Sequence, residues 1–180
     1  MSTMRMRRWC AVTLVAALGA GCAPMGGYGG AHGGPANADA GPRFINPGTL
    51  AGLDGFTHAV KVGFTIYISG EVALDSAGRI VGPGDLRAQA RQAFANLALV
   101  LRIAGATPAD VVKLNVYVVN YRPEDLAVIR EAGAEFLPDR NPPAGLVVGV
   151  QSLPKQGLLV AVDAIAQMRG LFAPRVRERR

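Results

Sequence analysis

The chain has 180 residues, half of them hydrophobic, and carries a formal net charge of +6. That length suggests one domain with extensions, and the hydrophobic share is enough for a sizeable core. The basic excess lies at the two ends, because residues 44–167 contain ten basic and eleven acidic residues. No basic stripe with interleaved aromatic residues occurs there, which argues against nucleic-acid binding by the folded part. No apolar run reaches the roughly 18–20 residues of a membrane-spanning helix.

The first 22 residues have the pattern of an export signal. Three arginines at positions 5, 7 and 8 precede an apolar stretch over residues 9–18. The stretch ends in Leu18-Gly19-Ala20-Gly21-Cys22, which resembles the cleavage box of bacterial lipoproteins, where the cysteine becomes the lipidated first residue. We therefore expect an exported, periplasmic protein that is anchored to a membrane through a lipid on Cys22. The alternatives are an ordinary secretory leader with an incidental cysteine, and a start that is not cleaved.

Both extensions have compositions that do not predict a packed core. Residues 23–43 contain seven glycines and three prolines, typical of a flexible tether. Residues 168–180 form a basic tail with five arginines and one glutamate. Cys10 and Cys22 both precede the folded part, so the domain itself contains no disulfide framework. His32 and His58 are the only histidines, and no His/Cys cluster has the spacing of a metal site.

The first half of the domain, which we place at residues 44–167, reads as two strands and a helix. Residues 57–62 and 64–69 are short apolar runs separated by Gly63, which predicts a hairpin. Asp85 is placed to cap a helix over 86–104, whose apolar residues recur with the period of one helix face. Gly105 is its C-terminal stop.

The second half predicts three more strands and a shorter helix. Apolar and polar residues alternate over 111–119, which indicates a strand. Pro123 opens a helix whose apolar face runs as far as Phe136. The apolar runs 146–150 and 158–165 are joined by a turn and predict two buried strands. The order β-β-α-β-α-β-β predicts an α+β fold, a mixed sheet with two helices on one face, and other subunits would cover its second face.

This order, with its particular residues, resembles the Rid family, known as RidA/YjgF, the reactive intermediate deaminases. The resemblance spans about residues 44–167 and is carried by the order and spacing of several short motifs. These are His58-Ala59-Val60, Ile66-Tyr67-Ile68-Ser69-Gly70, Gln89-Ala90-Arg91-Gln92, Asn96-Leu97, Ala104-Gly105-Ala106, Asp110-Val111-Val112-Lys113, Phe136, Pro143-Ala144, Gly149-Val150, Leu153-Pro154 and Asp163-Ala164-Ile165-Ala166.

The resemblance implies a chorismate-mutase-like fold and a homotrimer with three clefts between subunits. It also implies hydrolysis of enamines and imines derived from amino acids, with no metal or organic cofactor. In that family an arginine after Pro-Ala grips the substrate carboxylate through a bidentate pair. A glutamate in the last strand helps to activate water.

This chain departs from the family at those positions. Gly145 stands where the arginine is expected, Ala161 where the glutamate is expected, and Phe56 where the family usually has tyrosine. We predict that Gly145 opens space in a more apolar cleft. The predicted cleft residues are Phe56, Ser69, Gly70, Gly145, Leu146, Val147 and Ala161.

Three hypotheses for the function follow. The first is a Rid-type trimer that does not deaminate the usual imines and whose cleft binds another small molecule or nothing. In the second, activity survives on another imine or an unrelated substrate, with Arg140, Glu71 or His58 as catalytic candidates. Each of these also has a plain structural explanation as a loop charge, a strand-end charge or a strand residue. The third is an interaction module at the cell envelope, where three tethers would make weak binding avid.

The lipid anchor generates the first test. Cys22→Ser should abolish metabolic labelling with a fatty acid and release the protein from the membrane fraction, because serine offers no thiol for acylation. Cys10→Ser is the matched control and should leave labelling unchanged. Unchanged membrane fractionation of the Cys22→Ser protein would rule out the lipoprotein interpretation.

Overall fold

The computed structural model describes residues 41–169. In this part of the chain six strands and two α-helices follow one another as β1 (Arg43–Ile45), β2 (Ala59–Val62), β3 (Thr65–Val72), α1 (Leu86–Ala104), β4 (Val111–Val119), α2 (Asp125–Ala132), β5 (Ala144–Val150) and β6 (Val160–Gln167). The sequence predicted this order from β2 onwards. It missed β1, because three residues are too few to show an alternating pattern.

All six strands form one mixed sheet in the order β1-β2-β3-β6-β4-β5. β4 and β5 run parallel, and every other neighbouring pair is antiparallel. Side chains of both helices join the inward residues of the strands in one hydrophobic core. The predicted α+β architecture, a mixed sheet with two helices, is therefore confirmed.

Helix α1 buries the apolar face that its sequence period predicts. A side-chain oxygen of Asp85 accepts a hydrogen bond from the Ala88 N–H at 3.1 Å and caps the N-terminus. Gly105 ends the helix at φ 87°, a left-handed conformation that favours glycine. Between these caps seven apolar positions are buried: 90, 93, 94, 97, 100, 101 and 104. Burial of each large apolar side chain contributes roughly 1.5–3 kcal/mol, so this face anchors the helix on the sheet.

A buried amide near the start of α1 ties the helix to the beginning of β6. Gln89 is fully buried, and its Nε2 donates to the carbonyl oxygens of Gly82 and Gly157. Its Oε1 accepts from the Leu159 N–H at 2.8 Å. Every polar atom of this side chain therefore has a partner, as a buried amide requires.

A second buried amide, Asn96, binds the chain where β3 leaves the sheet. Its Nδ2 donates to the carbonyl oxygens of Val72 and Leu74 at 2.8 and 3.0 Å. Its Oδ1 accepts from Gln92 Nε2 at 2.8 Å. These carbonyls lie at the end of the sheet ladder, so the amide supplies bonds that a neighbouring strand would otherwise provide.

Helix α2 is shorter than the sequence predicts. It ends at Ala132, and Gly133 follows against the ring of Phe94. A side chain at Gly133 would overlap that ring, so the chain turns there with a glycine. Phe136 then stacks on Phe94 with ring centroids 5.4 Å apart. Phe136, which the sequence pattern assigned to the helix, therefore lies in a turn after α2 and packs on the core from there.

The two apolar runs in the last third of the domain do not pair with each other. β4 lies between β5 and β6, parallel to the first and antiparallel to the second. β6 is buried as predicted, but β5 is an edge strand and Leu146 on it is 54% exposed. The prediction that both strands are buried and adjacent was therefore wrong for β5 in the single chain. An apolar run also arises where a strand is covered by another molecule.

Several large apolar side chains remain exposed on the single chain. They are Phe44, Phe56, Val62, Tyr67, Ile103, Val112, Leu126 and Leu146. Subunit contacts of the kind expected from the sequence would cover part of this surface. Within residues 41–169 the structure contains no helix with the length and hydropathy needed to cross a membrane.

The bonds made by Asn96 generate a stability test. Asn96→Ala should lower the free energy of unfolding by about 2–3 kcal/mol, because the Leu74 carbonyl loses its side-chain donor in a buried site and the Val72 carbonyl keeps only the Leu74 N–H. Chemical denaturation measures the change. Gln156→Ala, at an exposed position, is the control and should change it by less than about 0.5 kcal/mol. Equal effects of the two substitutions would show that the amide does not hold the end of β3.

Candidate functional site

The site forms around an irregularity in β3. Ile68 pairs with Ala164 and Glu71 with Val162, so β3 holds one more residue than β6 over this interval. Such a bulge bends the strand and redirects the side chains that follow it. The extra residue falls at Ser69-Gly70, which the sequence analysis placed in the cleft. Ser69 also fixes the preceding loop, since its Oγ donates to the Thr57 carbonyl at 2.6 Å.

A cavity of about 370 Å³ lies beside this bulge. Its walls come from residues 51–58, the bulge, Leu153-Pro154 and the first half of β6. Four predicted cleft residues line it, namely Phe56, Ser69, Gly70 and Ala161, together with the two catalytic candidates His58 and Glu71. Phe56 is 69% exposed at this site.

The other predicted cleft residues do not line this cavity. Gly145, Leu146 and Val147 lie on β5, which is three strand spacings from β3, about 14 Å. Arg140 is exposed in the loop before β5 and also lies outside the cavity wall. These four residues could meet such a cavity only across a subunit contact, and their membership of a cleft between subunits stays a prediction.

Gly145 has a different role from the predicted one. It pairs with Leu114 of β4, and a Cβ at position 145 would overlap the Leu114 carbonyl oxygen. The missing side chain therefore lets two backbones approach. That Gly145 opens space in a cleft between subunits stays a prediction.

His58 and Glu71 form a buried pair in the cavity wall. His58 Nδ1 lies 2.8 Å from Glu71 Oε1, and the Glu71 residue is only 3% exposed. Burial raises the pKa of the Glu71 carboxyl, and the hydrogen bond and charge of His58 oppose that rise. The sequence analysis named both residues but not their contact. The antiparallel pairing of β2 with β3 points to it, although the bulge decides which residue of β3 reaches the histidine.

A second polar cluster reaches the same cavity from β6. Asp163 lines the cavity and accepts hydrogen bonds from Asn115 Nδ2 at 2.8 Å and Tyr117 Oη at 2.7 Å. The hydrogen bond to Asp163 raises the pKa of the Tyr117 hydroxyl, with burial and the carboxylate charge acting in the same direction. The sequence analysis did not select Asn115 or Tyr117. Their alternation with buried residues along β4 was the available signal.

The charges of the cavity wall define what it can do chemically. Its described lining holds two carboxyl groups, one imidazole and no lysine or arginine. Such a wall accepts hydrogen bonds and exchanges protons, but it offers no guanidinium fork for a carboxylate. Across residues 41–169 no three His, Cys, Asp or Glu side chains are grouped closely enough to hold a metal ion.

Comparison with known proteins places this geometry in a family. A family model described as endoribonuclease L-PSP matches residues 48–168. A 2-iminobutanoate/2-iminopropanoate deaminase of Dermatophagoides farinae is 37% identical over 101 residues, which cover 56% of this chain and 76% of the relative. A deaminase of the same name from Rattus norvegicus is 34% identical over 117 residues, 64% of this chain and 82% of that protein.

Solved structures show the same architecture. RidA from the Antarctic bacterium Psychrobacter matches with a TM-score of 0.62 and 32% identity, over 70% of this chain and 99% of that one. The Rid-family protein YyfB from Yersinia pestis, described as of unknown function, matches with a TM-score of 0.55 and 45% identity. That match covers 71% of this chain and 98% of YyfB. Together the family match, the relatives and the fold show that this chain belongs to the Rid family, the family of RidA and YjgF.

Proposed function

We propose that this protein is an exported Rid-family protein that binds a small molecule without a carboxylate in the cavity beside the β3 bulge. One observation carries the proposal: the described cavity wall combines apolar surface with two carboxyl groups and a histidine, and it contains no lysine or arginine. A neutral or cationic ligand suits that wall.

The size of the cavity supports a small ligand. A volume of about 370 Å³ is at the lower end of the roughly 300–1,000 Å³ of small-molecule pockets. Leu53, Ile68 and Val72 contribute apolar wall, which suits a compact apolar body. The polar groups lie on one part of the lining, at His58-Glu71 and at Asp163, and would fix the orientation of a hydrogen-bond donor.

The charge of the cavity disfavours the substrates named in the relatives. Each of those imines carries a carboxylate. In this cavity that carboxylate would meet Glu71 and Asp163, and the lining residues provide no guanidinium or ammonium to offset the repulsion. Gly145 and Ala161 replace the expected arginine and glutamate, so this chain lacks the groups that the resemblance assigns to that reaction.

The cellular setting belongs to the same proposal. The pattern of Leu18 to Cys22 and the Gly-rich residues 23–43 support a domain held to a membrane by a lipid and a tether. The exposed apolar side chains of the single chain support the homotrimer expected from the resemblance. In that trimer β5 of one subunit, with Gly145 and Leu146, would lie at the border of a neighbour's cavity.

Binding can be tested with three probes of one apolar body: benzylamine, benzyl alcohol and benzoate. The first two should raise the melting temperature of the full chain in detergent. The rise should be about 2–4 °C for each kcal/mol by which ligand binding stabilises the folded state. Benzoate should not, because its charge meets the carboxyl groups of the wall.

Matched variants locate the binding. Ala161→Leu places bulk in the cavity wall and should remove the shift, whereas Ala127→Leu makes the same change at an exposed position on α2 and should keep it. A larger shift with benzoate than with benzylamine would contradict the proposed ligand class.

Deamination of the usual substrate supplies a second test. The full chain should not accelerate ammonia release from 2-iminobutanoate generated in situ above the rate without protein, because no arginine holds the carboxylate at the cavity. Ammonia is measured with and without the protein at equal imine supply. Acceleration that is lost in Arg140→Ala would overturn the proposal and assign the carboxylate site to that loop.

A further inference from the structure

Ligand binding alone does not account for the buried pair His58-Glu71. A carboxyl group that is 3% exposed carries a desolvation penalty, which also raises its pKa. An apolar pair of similar volume at positions 58 and 71 would avoid that penalty. The pair lies in the wall of a cavity large enough for a small molecule, where a proton acceptor could reach a ligand.

The surroundings of His58 hold its ring in one orientation. Its backbone N–H donates to Asn46 Oδ1 at 3.0 Å, and its carbonyl accepts from the Ser69 N–H at 2.9 Å. With Glu71 ionised, Nδ1 carries the proton and donates it to Oε1, which leaves the lone pair on Nε2. The carboxyl group thus selects the tautomer.

The free nitrogen lies next to a glycine of the cavity wall. A Cβ built on Gly52 would lie 3.3 Å from His58 Nε2, so the absence of a side chain keeps that atom accessible. Among the described residues Nε2 makes no hydrogen bond, while Nδ1 is engaged with Glu71. A water molecule or a ligand can therefore approach the nitrogen that holds the lone pair.

We propose that His58 is a general base, positioned by Glu71, that hydrolyses imines without a carboxylate in this cavity. The inference rests on the proposed function, because it takes the same cavity and the same ligand class. It differs from the arrangement that the resemblance implies, since the proton acceptor comes from the residue before β2 and the carboxyl group from the end of β3.

The reaction balances with water as the only co-reactant. As the water oxygen bonds to the imine carbon, His58 Nε2 takes one water proton and the C=N π electrons move to nitrogen, which takes a proton from solvent. The imidazolium then gives its proton to the amine nitrogen of the carbinolamine. The C–N bond breaks, the hydroxyl returns a proton to solvent as C=O forms, and one carbonyl compound and one amine are released.

Two carboxyl groups reach the cavity from different strands. Glu71 faces the imidazole from β3, and Asp163, bonded to Tyr117 of β4, lines the same cavity from β6. The cavity wall therefore offers one carboxyl group in contact with the proposed base and a second on another strand.

The test follows two preformed Schiff bases by stopped-flow absorbance, with the full chain in detergent. One is N-benzylidenemethylamine, and the other is the N-methylimine of phenylglyoxylate, which adds a carboxylate. The first should be hydrolysed faster than in buffer and the second should not. His58→Gln should lose the acceleration, by roughly 100-fold or more, and should still bind benzyl alcohol.

The positioning role of Glu71 has its own readout. Glu71→Gln should lower the rate about tenfold, and Glu71→Asp, which keeps a carboxyl group, should restore part of the rate. Asp139→Asn, at an exposed carboxylate outside the cavity, is the control and should leave the rate unchanged. His58→Asn serves as a second variant if His58→Gln does not fold.

The outcomes separate the two proposals. Benzylamine binding without acceleration of the neutral imine overturns the catalytic inference and leaves the proposed function standing. Wild-type rates in folded His58→Gln or His58→Asn protein, or equal rates in Glu71→Gln and Glu71→Asp, also overturn it. Absence of both binding and acceleration rejects the cavity as a site for this ligand class.

Discussion

Two side-chain amides on one face of α1 hold the parts of the sheet that lack a regular strand partner. Asn96 binds the carbonyls of Val72 and Leu74 where β3 leaves the ladder, and Gln89 binds the chain just before β6 begins. Val72, whose carbonyl Asn96 binds, also lines the cavity. Because both amides are buried and fully bonded, the helix that fills the hydrophobic core also fixes the end of β3, next to the cavity.

The bulge at Ser69-Gly70 places a carboxyl group beside an imidazole in the cavity wall. A regular strand would continue the alternation of side chains through position 71, whereas one extra residue changes the direction in which Glu71 points. The carboxyl group thereby meets His58 across the hairpin, at the cost of its own hydration. Where the family arrangement relies on a cation for an anionic substrate, this chain brings a carboxylate and an imidazole to an otherwise apolar wall. The proposed ligand class follows from the sign of the charges in that wall.

The sequence predicted those features that depend on local pattern. The caps and buried face of α1 and the alternation of β4 are all encoded within a few turns or a few residues. The contact of His58 with Glu71 could not be predicted in the same way, because it depends on a register change between β3 and β6. The exposure of β5 was not predicted for another reason. An apolar run indicates that a strand is covered, but it does not show whether the same chain or another chain covers it. The role of Gly145 depends on the distance between two backbones, which no residue pattern contains.

That approach of β5 to β4 has a consequence for protein engineering. A single substitution to arginine at position 145 would place its first side-chain atom against the Leu114 carbonyl oxygen. A designer who wants a guanidinium at that position must therefore also change the path of β5, so the edge of the sheet and the new side chain have to be designed together.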